Sequence, residues 1–343
     1  MRLFVCGDIM PGGVLVYQNQ FVSSGLQRWL NRFDFRIGTL EAAIGTDIPF
    51  YAAKMENRAN IIYARDDDFF RIRSLGFDVL SLANNHIFDL GAVGLQNTIR
   101  QLDAAGIRHC GAGMNLEEAS RPAVVERNGV RVAFYACSVI WNGDTVVAGP
   151  DSPGVNGMEM ERILCDIRKA KKEHDWVIVL PHWGKEYTFR PFRSQIAKGC
   201  AMIDAGADAV FGSHAHNVQP IVLYKRKPIC FNMGNFLFPD FYMRPPRPIW
   251  YPERGEDLQA FPVVYDYPFP ISEPVRRVWN SVSRYGYCLD AHLKQNKRMG
   301  LHPSFVHLSS DNIAGRSCIP LRTNLRLFRE KVRAIKIINN EFI

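Results

Sequence analysis

A chain of 343 residues that is 47% hydrophobic and 22% charged has the balance of a globular protein, with room for one large domain or two ordinary ones. No run approaches the roughly 18–20 apolar residues of a membrane-spanning helix, and the first strand-like run, Leu3–Cys6, begins too early to leave room for a signal peptide, so a cytoplasmic protein with no membrane span is expected. The net charge of +8 lies entirely at the end: residues 271–343 hold 13 Lys and Arg against 5 Asp and Glu. That basic tail lacks the aromatic interleaving or motif of a nucleic-acid module, so it reads as a solvated basic face and no nucleic-acid partner is expected. The eight cysteines are scattered without a CxxC pair, several inside apolar runs, and read as reduced.

In chain order, Leu3–Cys6 reads as a buried strand that ends at Gly7-Asp8, where Asp8 is either a metal ligand or a cap for the next segment. Phe33–Leu40 is strand-like and ends at Glu41. Phe69–Leu75 is amphipathic, and Val79–Ala83 makes the next strand, ending in Asn84-Asn85-His86. Three consecutive polar side chains leaving an apolar strand are hard to assign to packing and mark a candidate site. A helix is predicted over residues 94–105 with Gly106 at its carboxyl end. Val132–Cys137 is a further strand, and Trp141–Gly157, rich in Gly, Asp and Pro, is a long loop.

A charged helix over 159–172 precedes the strand Trp176–Leu180, which delivers Pro181-His182-Trp183-Gly184-Lys185-Glu186-Tyr187. Residues 193–204 read as helical. The strand Ala209–Phe211 then leads into Gly212-Ser213-His214-Ala215-His216. Side chains at i and i+2 of an extended segment point the same way, so His214 and His216 could reach two neighbouring metal ions across the small Ala215; a hydrogen-bonded pair in a loop is the other reading. Eight of the 20 prolines fall in residues 239–270, which argues against regular structure there and leaves a lid over a site or a wrap around the core. Residues 284–310 suggest a closing hairpin and 322–336 a basic terminal helix.

Five strand ends therefore each deliver a metal-type residue: Asp8, Glu41, Asn85-His86, His182, and His214 with His216. Alternating strands and helices make a largely parallel or mixed α/β sheet whose strand ends gather on one side. Carboxylate, amide and imidazole donors without nearby cysteine suit two divalent ions such as Mn, Fe or Zn.

The ordered motifs GDIM, GTLEAAIG, SLANNHIFDLGAVGL, HWGKEY, SHAHNVQPI and NMGNF resemble those of the CapA (poly-γ-glutamate capsule synthesis) proteins over about residues 1–240. That family is similar to the calcineurin-like metallophosphoesterases, which implies a four-layer α/β/β/α sandwich over 1–240, with 241–270 a possible lid and 271–343 a basic segment completing the domain. It also implies that Asp8 and His216 hold one metal, that Asn85, His182 and His214 hold the other, and that Glu41 bridges them. His86 would be the general acid. Asn84, Trp183, Glu186 and Tyr187 would line the substrate pocket, although support packing is an alternative for Trp183, and Asn84 could be the amide ligand in place of Asn85, which adjacency to His86 favours. Met10 stands where the superfamily places a second ligand, which weakens the Asp8 site, and Ala215 replaces the family's usual Pro. The resemblance implies a small-molecule or anionic-polymer substrate and hydrolysis of a phosphoester or γ-glutamyl-type amide. Amide-bond formation in polyglutamate assembly and non-catalytic polymer binding are the rival expectations.

Overall fold

The computed structural model describes residues 1–57, 60–140, 144–246, 248–253, 255–265, 271–294 and 298–342. One sheet runs in the order Ala314–Ser317, Met299–Leu308, Tyr285–Leu293, Arg2–Ile9, Phe35–Leu40, Val79–Ser81, Arg108–Cys110, with Asn235–Leu237 also paired to Arg2–Ile9. The other runs Ile221–Tyr224, Lys227–Cys230, Ala209–Phe211, Trp176–His182, Val130–Ser138, Ala123–Arg127. Both are mixed. Their central pairs are parallel, while antiparallel, hairpin-connected strands close both edges of the second sheet and one edge of the first.

Period-two alternation along each strand explains the layering. Leu3, Val5, Ile37 and Val79 of the first sheet share one apolar cluster with Phe134, Ile178, Leu180 and Phe211 of the second, which sets the sheets face to face. The intervening residues Phe4, Cys6, Leu40 and Leu80 turn outward to Trp29, Leu30, Ile72 and Leu95 of the helices Ser24–Leu30, Phe70–Leu75 and Gly91–Ala104. On the far side Tyr135, Val177, Val179 and Val210 meet Ile163, Ile167, Ile196 and Ile203 of the helices Met160–Glu173 and Arg193–Asp204, together with Ala334 and Ile338 of the terminal helix Leu321–Glu341. The result is the four-layer α/β/β/α order implied by the resemblance.

The C-terminal segment is built into this frame. Tyr285–Leu293 pairs antiparallel with Arg2–Ile9, from Arg2 opposite His292 to Cys6 opposite Cys288, and continues into Met299–Leu308. Residues 295–297, between those two strands in sequence, lie outside the described residues. No helix among the described residues is long and apolar enough to cross a membrane.

Two sequence expectations change. The Pro-rich stretch does contain regular structure: Phe241–Met243, Ile249–Trp250 and Val263–Val264 join Val275–Arg277 in a small four-stranded sheet. Strands of two or three residues fit between prolines, so the rings bound them rather than break a ladder; residues 266–270 of that stretch lie outside the described residues. In the loop expected over 141–157, Gly154–Val155 pairs with Ala112–Gly113, and 141–143 are not described.

Candidate metal centre

Because the central strands are parallel, their carboxyl ends open on one side. Asp8 lies within the strand Arg2–Ile9 rather than after it, Glu41 follows Phe35–Leu40, and His182 is the last residue of Trp176–His182. Asn85 and His86 follow Val79–Ser81, and His214 and His216 follow Ala209–Phe211. Close backbone approach fixes Asp8. A Cβ on Gly7 would stand 1.8 Å from the Gly234 carbonyl oxygen, and the Asp8 amide donates to that same oxygen at 3.0 Å. Any larger residue at Gly7 would separate the two strands that carry Asp8 and Asn235.

His214 and His216 reach the site differently from the extended i, i+2 arrangement expected. The strand stops at Phe211, and both histidines take positive φ, 97° and 52°. These left-handed bends, costly for residues with a Cβ, converge the rings at 6.3 Å between centroids. The His214 amide then donates to Asp8 Oδ2 at 3.1 Å.

Four donors surround one point. His182 Nε2 lies 3.0 Å from Asn85 Oδ1, 3.2 Å from His214 Nδ1 and 3.4 Å from Glu41 Oε1. Groups that each sit about 2.0–2.2 Å from a common ion are spaced at roughly 3 Å. A second group shares Glu41: Asp8, Glu41 and His216 bring ligand atoms within 4.8 Å of one another, as Glu41, His182 and His214 do. His216 Nδ1 meets Asn235 Oδ1 at 2.9 Å, so Nε2, 3.8 Å from Glu41 Oε1, is the nitrogen that could reach a metal ion. Met10 adds nothing to this group, for its Sδ accepts from the Gly12 amide at 3.2 Å and its side chain packs in the outer core.

The electrostatics call for cations. Asp8 and Glu41 are fully buried, and Asp8 Oδ1 and both Glu41 oxygens have no hydrogen-bond partner. Burial pushes the Asp8 carboxyl up to about 7, and burial followed by the Asp8 charge pushes Glu41 well above its usual range. Burial likewise holds His182, His214 and His216 well below the ordinary imidazole value, so all three are neutral, the form in which imidazole binds metal. Orphaned carboxylate oxygens facing neutral imidazoles fit two divalent ions, whose charge would satisfy what no side chain does.

Around this centre runs a polar shell that sequence inspection misses in part. Ser213 Oγ meets His182 Nδ1 at 2.8 Å and so sets the ring. The Asn85 amide nitrogen donates to Asp144 Oδ2 at 2.9 Å, which turns Oδ1 towards His182. Lys54, 1% exposed, pairs with Asp89 and with Asp144 and donates to the Asn85 carbonyl. Burial would lower the Lys54 ammonium, but the two carboxylates outweigh it and raise it. Asp89 also meets His86 Nδ1 at 2.8 Å, which presents the opposite ring nitrogen, Nε2, towards the Asn85 amide at 3.1 Å. Asp89 and Asn235 fall inside quoted motifs, but Lys54 and Asp144 carry no local signal.

Two residues expected to line the pocket are elsewhere. Trp183 is fully buried in the helix-covered core of the second sheet, its indole donating to the Phe231 carbonyl at 2.7 Å. Asn84 is spent on backbone, donating to the Leu40 carbonyl at 2.8 Å and accepting from the His86 amide at 2.9 Å. Tyr187, at φ 60°, does stand at the site, its ring stacked on His216 at 6.1 Å between centroids and its hydroxyl accepting from Arg277 at 3.1 Å. Glu186 is half-buried beside it, and burial holds its carboxyl above the usual range. Trp279, 4.8 Å from the His216 ring, closes that side.

The family model described as bacterial capsule synthesis protein PGA_cap matches residues 2–240. The chain belongs to this family. All the strand ends just described lie within the PGA_cap match, whereas Arg277 and Trp279 come from beyond it. The chain is 32% identical over 257 residues to a capsule biosynthesis protein CapA of Bacillus anthracis, covering 71% of this chain and 61% of that one. It is 34% identical over 174 residues to a PGA biosynthesis protein CapA of Bacillus subtilis, covering 50% and 46%. It thus spans about half the length of these curated relatives. Among solved structures, a putative 5'-nucleotidase of Staphylococcus aureus in complex with α-ketoglutarate overlaps with a TM-score of 0.48 at 11% identity, covering 98% of this chain and 58% of that one.

Proposed function

We propose that this PGA_cap protein is a dinuclear-metal-dependent enzyme that hydrolyses a phosphoester or a γ-glutamyl-type amide bond. The observation that carries the reading is Glu41, a fully buried carboxylate with both oxygens unpartnered, shared by two groups of ligand atoms. In this reading Asn85, His182, His214 and Glu41 hold one ion, and Asp8, His216 and Glu41 the other, with Mn, Fe or Zn the metals that suit such donors. Two divalent ions at such a site supply Lewis acidity and lower the pKa of water from 15.7 towards about 7.

The chain's own groups do the rest. His86, 5% exposed, would serve as the general acid: its Nε2, which accepts from the Asn85 amide here, would first take up the proton released by the attacking water and then pass it to the leaving oxygen or nitrogen that displaces that amide. Asp89 accepts from Nδ1 and so fixes the ring's tautomer, and Lys54 holds Asp89 in place. Asn84 pins the His86 backbone. Tyr187 and Glu186 form the half-buried wall against which substrate would lie. Met10 adds no fourth donor to Asp8, His216 and Glu41, whereas the other ion has four, so the ion beside Asp8 is the more weakly held.

The test is metal content by mass spectrometry together with turnover of p-nitrophenyl phosphate esters and γ-glutamyl p-nitroanilide. Loss of metal and of turnover in His182→Ala and His214→Ala is expected; unchanged metal content in both, or intact metal with no turnover of either class, sinks the reading. The names of the two CapA relatives, which refer to capsule and PGA biosynthesis, favour a second reading in which the same site forms or transfers an amide bond. Nucleotide-dependent amide product from ATP, glutamate and metal would select it.

A further inference from the structure

The terminal helix Leu321–Glu341 has two apolar faces, and the domain uses only one. Leu327, Ala334 and Ile338 are buried against the body of the protein. Facing the other way, Leu321, Leu325, Phe328, Val332 and Ile335 are 73%, 53%, 64%, 37% and 36% exposed. Their spacing of four, three, four and three residues aligns them in one row along the helix, about 21 Å long at 1.5 Å per residue. One residue further on, and so about 100° around the axis, stands a second row: Arg322, Arg326, Arg329, Arg333 and Lys336. All but the half-buried Arg333 are exposed. Arg326 leans over the Phe189 ring at 4.5 Å and Arg333 meets Glu330 at 3.5 Å, while Glu330 itself also faces Arg190.

An occupant of this face must cover the apolar row and take the cationic row beside it. A second copy of the chain fits the apolar spacing, which is that of a coiled-coil seam, but it would set Arg322, Arg329 and Lys336 on one flank and Lys331 on the other against their own counterparts. Like charges would then line the seam. A soluble polyanion would match the cations and leave five apolar side chains in water. An anionic lipid interface satisfies both rows, since headgroups take the charges and the acyl boundary takes the apolar row. We propose that the outward face of this helix docks the protein, lying flat, on an anionic membrane surface.

The test is co-sedimentation of the full chain with vesicles made of equal parts phosphatidylglycerol and phosphatidylcholine, or of phosphatidylcholine alone. Binding to the mixed vesicles only, weakened by salt, is expected. A roughly tenfold or greater loss is expected both for the pair Leu325→Asp with Phe328→Asp and for the triple change Arg322→Glu, Arg329→Glu and Lys336→Glu. These side chains are exposed, so unchanged circular dichroism and metal content in the variants serve as fold controls. The proposal is overturned by absence of binding to the mixed vesicles, by equal binding to neutral ones, or by a dimer in sedimentation analysis that Phe328→Asp dissociates while vesicles bind neither form.

Discussion

Replacing Glu41 by Gln keeps the side chain's shape and removes its charge, and the consequence should reverse sign with metal. In the metal-free protein the carboxylate is a liability, because it is fully buried, neither oxygen is hydrogen-bonded, and Asp8 competes for the same space. Its folded-state pKa is raised well above 4.5, first by burial and then by Asp8, so the folded protein keeps a proton that the unfolded chain gives up. The stabilisation tied to that proton is complete below the unfolded value and is lost as pH rises through the folded one, at up to about 1.4 kcal/mol per pH unit. Gln has no such proton to lose. Metal-free Glu41→Gln, whose amide is buried in the same place, should therefore be the more stable protein at about pH 8 through the proton term alone, by up to about 1.4 kcal/mol for each pH unit above the unfolded value, or several degrees in Tm. Near pH 5 the difference should shrink. With metal the order inverts, since an ion at about 100 times its Kd stabilises the wild type by about 2.7 kcal/mol, and each tenfold loss of affinity in the variant removes about 1.4 kcal/mol of that. Calorimetry of chelator-treated and Mn- or Zn-loaded proteins at both pH values measures all four terms. A metal-free variant less stable than wild type at about pH 8, or a metal-induced shift equal in the two proteins, would refute the reasoning.

Further outcomes follow from the surrounding shell. His86→Gln should lower turnover by about 10²–10⁴ with metal content unchanged, checked by parallel kinetics and mass spectrometry. Lys54→Met strips the buried Asp89 carboxylate of its ammonium partner and should cost about 3–5 kcal/mol in chemical denaturation. Trp183→Ala should cost a similar 3–5 kcal/mol or so by opening a cavity in the core while leaving KM unaltered below the melting range; a raised KM with unchanged stability would return Trp183 to the pocket wall. Because Asp8, pushed up to about 7, and Glu41, held well above the usual range, must both shed protons to bind metal, affinity should rise with pH through about 7 and go on rising beyond it, as read by chelator competition.

Much of this protein is legible along the chain. Apolar runs of period two and helical runs of period 3.6 mark the strands and helices of both sheets. The rule that parallel strands gather their carboxyl ends then places Asp8, Glu41, Asn85, His182, His214 and His216 on one side before any coordinate is known. What stays hidden depends on contacts between distant positions. Asp8 and His214 touch across 206 residues, and no local pattern states that Glu41 serves two groups of donors or that Lys54 ties Asp89 to Asp144. Local pattern also misplaces side chains whose polar atoms are satisfied by backbone. Trp183 and Asn84 sit among site residues in sequence, yet the Phe231 and Leu40 carbonyls hold them in the interior.

The sequence by itself determined which residue types arrive at the strand ends, because burial periodicity and strand direction are local properties. Only the tertiary structure decided which of those residues share a point in space. The left-handed bends at His214 and His216, the packing of Met10 in the outer core and the pairing of the C-terminal strands against Arg2–Ile9 all depend on contacts between distant parts of the chain. So does the division of the terminal helix into a face that the domain covers and a face that it leaves exposed. Helical spacing reveals apolar rows, but only the packed domain shows which row is already taken.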